Sequence, residues 1–294
     1  MRTTSGIMSS THLDLHNERV SRESLEALVA QVGQTYIPVT WQHDLRYPPL
    51  GRVVAARLVE LPDGELAVEG DQELWEADDD ARSAAGDGRG VPIRIDRGPG
   101  LTVGFDRTFE NDEFLDQVRD LARLIGTSEP EFNVKKALEP ISILVIAGGA
   151  FALGSIASGF FGKIGSDAYD GLKARLKALY RDRRSDEELL DFNLGVAGEE
   201  GAYEVHLLVV GPDDRQLDNV LDTRFAGLDE LVAEIVKGEP DIAKVVTIWK
   251  DGGIDLAYAV RSDAYPVVVN WDNIPPLLSG DETDADGVGP DDIG

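Results

Sequence analysis

Residues 141–162 form the stretch that most constrains the fold, because ISILVIAGGAFALGSIASGFFG contains no charged residue in a chain of formal net charge -27. As an α-helix, these 22 residues rise about 33 Å, enough to cross a hydrocarbon layer of about 30 Å. Five glycines and three serines weaken such a helix and reduce the gain from membrane insertion. The stretch is therefore either a membrane-spanning helix or the buried core helix of a globular domain.

Small residues recur at every fourth position of this stretch. The series is Ala150, Gly154, Ser158 and Gly162. On a helix, this spacing places small side chains on one face and lets a second helix approach closely, in a membrane or in a globular core. The pattern predicts a partner helix, and we expect a homo-oligomer with a further protein partner as an option.

Basic residues follow the apolar stretch. Residues 163–184 carry seven basic and three acidic side chains, and the basic flank of the run is defined by Lys163, Lys173, Arg175 and Lys177. A basic amphipathic helix beside an apolar segment is typical of a membrane surface on the cytoplasmic side. This predicts a location in the cytoplasm or at the inner face of the cell membrane. The alternative is a basic helix that docks on the acidic surface of its own chain.

The overall charge and the absence of cysteine exclude several classes of function. With 55 acidic and 28 basic residues and a pI near 4.4, the chain repels phosphate groups, so we expect no nucleic-acid partner. The chain has no cysteine, which excludes disulfides, thiolate metal sites and a cysteine nucleophile.

The periodicity of apolar residues predicts an α+β protein. Ser21 is placed to cap a short helix, and proline–glycine and Asp-Gly-Gly turns predict two β-hairpins. The predicted organisation is a disordered start, a β-rich domain, a helical segment that contains the apolar helix 141–162, a β-β-α-β-β domain and an acidic disordered tail. The corresponding ranges are 1–10, 11–109, 110–186, 187–276 and 277–294.

The segment IPVTWQHDLRYPPLGRVVAARLVELPDGELAVEG resembles the prohead maturation serine proteases of tailed phages. The resemblance covers roughly the first 105 residues and rests on a strand, a W-x-H-D segment and a following hairpin. It implies that His43 stands at the position of the catalytic histidine. It also implies that Thr102, in LTVGF, stands where the family has its serine, while the third catalytic member has no counterpart.

Threonine carries the hydroxyl of serine but adds a methyl group that stiffens χ1 and crowds nucleophilic attack. The resemblance therefore predicts a degenerate protease-like domain that serves as a recognition module. The alternative is an active serine/threonine-type peptidase that uses Thr102 and His43, with Ser83 as a weaker nucleophile in a loop. His43 also fits a purely structural role, as a hydrogen-bonded residue at a strand end.

Histidines elsewhere give little support for a metal site. His12 and His16 flank Asp14 on one face of a predicted strand, which suits zinc only if a further ligand such as His43 joins them. A solvated polar strand face explains the same pattern, so we expect neither a metal nor a cofactor. His206, in EVHLLVV, is interpreted as an ordinary strand residue.

Three functional hypotheses follow. In the first, a membrane-associated or self-associating protein carries the protease-like domain as a recognition module. In the second, the same chain is a tethered peptidase. In the third, it is a soluble assembly protein without enzymatic chemistry, in which the glycine-rich helix is the central core.

Overall fold

The computed structural model describes residues 1–13, 19–41, 44–75, 87–93, 100–106, 112–127, 130–133, 142–181, 188–198, 201–239 and 241–275. Within these ranges the chain forms twelve strands and six helices, arranged in two sheets. The chain thus combines helices and sheets, as the α+β prediction requires.

The smaller sheet has four antiparallel strands in the order β1-β4-β3-β2. The strands are β1 (Arg2–Ser10), β2 (Ile37–Val39), β3 (Gly51–Glu60) and β4 (Leu66–Leu74). Helix α1 (Arg22–Gln34) lies against β3 and β4 and buries Leu25 and Val32. The Ser21 side chain accepts a hydrogen bond from the Ser24 amide, which confirms the predicted cap.

The prediction of disorder at residues 1–10 is wrong, because residues 2–10 form β1 at the edge of this sheet. The segment is polar and has little apolar surface to bury, so composition alone favoured disorder. Its order comes from backbone pairing with β4, and Gly70 leaves room for the Met8 side chain to cross that strand.

The larger sheet has eight strands in the order β12-β11-β10-β9-β8-β7-β5-β6. Three neighbouring pairs, β5/β6, β7/β8 and β9/β10, are parallel, and the others are antiparallel. The strands are β5 (Leu101–Asp106), β6 (Glu131–Asn133), β7 (Ser142–Ala152), β8 (Glu188–Ala197), β9 (Ala202–Val210), β10 (Ile242–Lys250), β11 (Gly253–Arg261) and β12 (Pro266–Val267).

Each parallel pair is joined through helices, as parallel pairing requires. Helix α2 (Asp112–Leu124) follows β5, helices α3 (Ile156–Ile164) and α4 (Ser166–Tyr180) follow β7, and α5 (Asp214–Asp222) and α6 (Leu228–Gly238) follow β9. Apolar residues of all five helices join one continuous core with the sheet. The helices therefore cover one face of the sheet, and the opposite face is left for the N-terminal part of the chain.

The apolar run is a strand followed by a short helix, so the prediction of one glycine-rich helix over 141–162 is wrong. Residues 142–152 form β7, between β5 and β8, and α3 begins at Ile156. A strand covered on both faces reads as a continuous apolar run, which periodicity alone does not distinguish from a buried helix. The start of α3 is fixed by Asp229 of α6, whose carboxylate accepts the Ile156 amide at 2.7 Å.

No helix in the described ranges is both long enough and apolar enough to cross a membrane. The prediction of a transmembrane helix over this run is therefore wrong.

The larger sheet crosses two of the boundaries drawn from the sequence. Strand β5 pairs with β7, so Thr102 lies in the larger sheet and not beside the β3–β4 hairpin. Strand β8 pairs with β7 along most of its length, which joins the predicted C-terminal domain to the central segment. The four predicted strands of that C-terminal domain are present as β8 to β11, and α5 adds a second helix beside α6. The acidic tail 277–294 lies outside the described residues.

Candidate functional site

A cavity of about 270 Å³ lies between the larger sheet and the N-terminal part of the chain. The floor of this cavity is polar and comes from β8, β9 and β10: Asn193, Glu204, His206 and Lys244. The walls are mainly apolar and come from the strands β2 and β11 and from nearby loops: Pro38, Thr40, Leu45, Pro49, Val91, Pro92, Tyr258 and Val260.

Strand register brings the floor residues together. Successive side chains of a strand point to opposite faces, so Glu204 and His206 share one face of β9. Asn193 of β8 is the antiparallel partner of His206, and Lys244 of β10 is the parallel partner of Glu204. The alternate residues of β8 and β9, such as Phe192 and Val205, belong to the core under the helices.

Three residues of the floor and Asp191 form a line of ionisable side chains, which we call the charged row: Asp191, His206, Glu204 and Lys244. The last three line the cavity, and Asp191 adjoins it through His206. Asp191 Oδ2 lies 3.0 Å from His206 Nδ1, and Glu204 Oε2 lies 3.5 Å from His206 Nε2 and 3.6 Å from Lys244 Nζ. The first three residues are buried, while the Lys244 side chain is 24% exposed. Opposite charges alternate along the row when His206 is protonated.

His206 lies between two carboxylates, and this environment favours its charged form. Burial lowers the pKa of the imidazole, but the Asp191 and Glu204 carboxylates together outweigh it, so the pKa lies above its ordinary value of 6.5. Within the described chain, Nε2 has no partner at hydrogen-bonding geometry. The His206 backbone carbonyl accepts the Thr247 hydroxyl at 2.8 Å, which ties β9 to β10.

Tyr258 connects the floor to the wall above it. Its hydroxyl donates to the Leu45 carbonyl at 2.9 Å, and burial raises the pKa of this phenol. The same loop is braced by Asp44, a buried carboxylate that accepts the Arg46 backbone amide and guanidinium. The loop that bears Leu45 is therefore fixed against β11.

Arg52 joins the two sheets beside the cavity. Its guanidinium forms an ion pair with Glu73 at 2.9 Å and donates to the Asp263 carbonyl at 3.1 Å. The same group lies 4.2 Å from the centre of the Tyr36 ring. These contacts hold β3 against the end of β11.

Of the predicted catalytic residues, Thr102 is the one that lies within the described ranges. Thr102 lies half-buried on β5, opposite Ala147 of β7, and does not line the cavity. His43 and Ser83 lie outside the described residues.

The histidines considered for zinc are placed only in part. Asp14 and His16 also lie outside the described residues. His12 Nε2 contacts Asp63 Oδ2 at 2.7 Å, as an exposed surface pair. In the ranges that the structure describes, no group of three or more potential ligands is arranged to hold a metal ion.

The four small residues predicted to form one helix face do not share an element. Ala150 lies on β7, and Gly154 lies in the turn after it with φ +80°. Ser158 and Gly162 lie on the exposed side of α3. The four-residue spacing does not place these residues on one face, because the chain changes from strand to helix between Ala150 and Ser158.

The basic flank contacts the chain itself. Lys163 Nζ donates to the Gly149 carbonyl at 2.7 Å, and Arg175 Nε donates to the Asp120 carbonyl at 3.3 Å. On α4, two lysines form ion pairs with carboxylates of α5: Lys173 with Asp218 and Asp222, and Lys177 with Asp218. This is the alternative in which a basic helix docks on the acidic surface of its own chain.

The chain matches no family model, no curated protein and no solved structure. The likeness to prohead proteases therefore stays a prediction from the sequence.

The residues of the charged row were missed because each lies in an apolar strand that reads as core. Two spacings carried a signal: Asp191 and Asn193, and Glu204 and His206, are each two residues apart and so share a face. Polar residues paired in this way inside buried strands indicate a polar site on one side of a sheet.

Proposed function

We propose that the protein is a binding module that holds a small polar ligand in the cavity between its two sheets. The observation that carries the proposal is the charged row beneath apolar walls. Burying ionisable groups is costly, and well-packed apolar residues of the same size often stabilise a fold better. A buried ionisable group with a shifted pKa that lines a cavity, here His206, indicates a candidate functional site.

The chemistry of the cavity suits binding. Apolar walls with a few convergent polar groups are typical of small-molecule sites. Lys244 and Glu204 offer a donor and an acceptor side by side, and Asn193 offers both through its amide. His206 faces Glu204 and Asp191, so its role in this proposal is to hold the Glu204 carboxylate in place.

The proposal keeps a recognition role for the N-terminal third of the chain, because Pro38, Thr40 and Leu45 supply part of the walls. The peptidase alternative has a different basis, since it depends on the family resemblance and on His43.

The test is a thermal-unfolding screen of the full chain with small probes: the free amino acids, short carboxylates, primary amines and simple sugars. We expect at least one probe to raise the Tm of the wild type. That shift should be lost in Glu204→Gln and Lys244→Met and kept in the controls Glu234→Gln and Lys237→Met, whose side chains are exposed on α6. The proposal fails if no probe raises the Tm, or if both cavity variants respond like the wild type.

A further inference from the structure

We infer that the ligand is a zwitterion with an apolar body, in chemical class a free α-amino acid with a large apolar side chain such as leucine or phenylalanine. The inference rests on the proposed function and adds the class of ligand. It is carried by the Lys244–Glu204 pair on the floor and by the apolar walls.

The spacing of the two floor charges matches one amino-acid head group. Lys244 Nζ and Glu204 Oε2 lie 3.6 Å apart, because the two residues are paired directly opposite each other on β10 and β9. In an α-amino acid, the nitrogen and the carboxyl carbon are about 2.5 Å apart, as follows from the N–Cα and Cα–C bond lengths and the angle between them. A single head group can therefore place its carboxylate at Lys244 and its ammonium at Glu204.

A ligand with only one charge satisfies this floor less well. A simple carboxylate that draws Lys244 away leaves Glu204, whose side chain is 5% exposed, with one cation fewer. A simple amine leaves Lys244 without its counter-ion in the same way. Breaking a buried ion pair on one side is costly because a buried charge loses its compensation. A zwitterion supplies a new counter-ion to Lys244 and to Glu204 at the same time.

The charge balance of the charged row agrees with a ligand of zero net charge. Asp191 and Glu204 carry two negative charges, and Lys244 with protonated His206 carries two positive charges. The raised pKa of His206 favours this balanced state. A ligand with a net charge adds an uncompensated charge beside these buried groups.

The walls and the volume of the cavity indicate the chemistry and the size of the rest of the ligand. Three proline rings together with Leu45, Val91 and Val260 present apolar surface above the floor. Burial of an apolar side chain there contributes about 25 cal/mol per Å². A cavity of about 270 Å³ lies just below the range of typical ligand sites, about 300–1,000 Å³, and so suits a small ligand. A nucleotide or a sugar phosphate brings a net negative charge that this floor does not compensate.

The experiment is isothermal titration of the wild-type full chain with matched probes. One set is L-phenylalanine, 3-phenylpropionate and 2-phenylethylamine, and the second is L-leucine, 4-methylpentanoate and 3-methylbutylamine. Glycine supplies the head group without the body. We expect one of the two amino acids to bind at least about tenfold more tightly than its singly charged analogues and than glycine, a difference of about 1.4 kcal/mol.

The inference is overturned if an analogue with one charge binds as tightly as its amino acid, or if neither amino acid binds. In either case, a Tm shift with another probe of the wider screen leaves the proposed function standing, whereas the absence of any shift removes both. The comparison of probes uses the wild type, so it does not depend on whether a variant folds. Loss of binding in Lys244→Met, with an unchanged circular dichroism spectrum, would locate the carboxylate end.

Discussion

Gly154 and Gly162 both belong to the series of small residues at every fourth position, but they adopt different backbone conformations. Gly154 has φ +80° in the turn between β7 and α3, whereas Gly162 is helical and exposed, with open space around an added Cβ. We expect Gly154→Ala to lower the free energy of unfolding by about 1–2 kcal/mol, the cost of a left-handed conformation with a side chain. Gly162→Ala should raise it by about 0.5–1 kcal/mol. Urea denaturation of both variants measures the two changes in unfolding free energy. Changes of the same sign would contradict the prediction.

His206 makes the stability of the protein depend on pH. Its pKa in the folded state is raised above the ordinary 6.5, so protonation stabilises the folded chain. The stabilisation is complete below pH 6.5 and is lost as the pH rises from there through the folded pKa. We expect the difference in unfolding free energy between the wild type and His206→Gln to shrink over that window, measured by urea denaturation at a series of pH values. A difference that stays constant with pH would refute the assignment.

At the residue scale, the sequence revealed residue types but not their partners. His206 contacts Asp191 across the β8–β9 pair, and Asp191 is paired in register with Leu208 rather than with His206. A shift of one residue in that register would place the Asp191 and His206 side chains on opposite faces of the sheet. The contact between His206 and Asp191 therefore could not be predicted, because the residue pattern along each strand does not determine how the two strands are aligned.

Helices α4 and α5 are joined by ion pairs between lysines and carboxylates. Lys173 and Lys177 both reach Asp218, which is 39% exposed. Because solvent screens this pair, we expect Asp218→Asn to cost less than about 1 kcal/mol. The cost should decrease with added salt, since the Debye length falls from about 10 Å at 0.1 M to about 3 Å at 1 M. Thermal melting at both ionic strengths measures it, with Glu234→Gln on α6 as control. An equal loss in 1 M salt would contradict the explanation.

Element type followed from the sequence where a turn motif marked it. The β10–β11 hairpin was predicted correctly because Asp251, Gly252 and Gly253 mark the point at which the chain reverses. Strand β7 carries no such mark, and because both of its faces are covered its residues form a continuous apolar run.

Two glycines of the apolar run have a different reason from the one expected. A Cβ at Gly148 of β7 would collide with the Leu101 side chain. A Cβ at Gly159 of α3 would collide with the Phe151 ring. These glycines therefore make room for neighbouring side chains rather than for a second helix.

The attachment of the N-terminal part to the larger sheet can be tested with a pair of tyrosines. The Tyr258 hydroxyl donates to the Leu45 carbonyl, whereas the buried Tyr203 hydroxyl has no hydrogen-bond partner in the described chain. We expect Tyr258→Phe to lower the unfolding free energy by about 0.5–1.5 kcal/mol. Tyr203→Phe should be neutral or stabilising. Chemical denaturation distinguishes the two, and equal losses would show that the hydroxyl of Tyr258 is not the connection.

At the scale of the whole molecule, the boundary at residue 109 was the hardest feature to predict. The strand with Thr102 follows the N-terminal segments in sequence but pairs with β7, about forty residues further along. Such long-range pairing depends on the complete sheet, and composition does not reveal it. The family resemblance also grouped LTVGF with the preceding strands and so favoured the wrong neighbour for β5.

The position of the cavity between the two sheets has a thermodynamic consequence. A ligand there contacts both sheets, so its binding energy opposes their separation as well as the unfolding of either one. At a concentration 100 times its Kd, a ligand adds about 2.7 kcal/mol to the stability of the form that binds it. If the proposed ligand binds there, a higher ligand concentration lowers the fraction of molecules in which the two sheets are separated. The rate of limited proteolysis of the N-terminal part then falls as the ligand concentration rises.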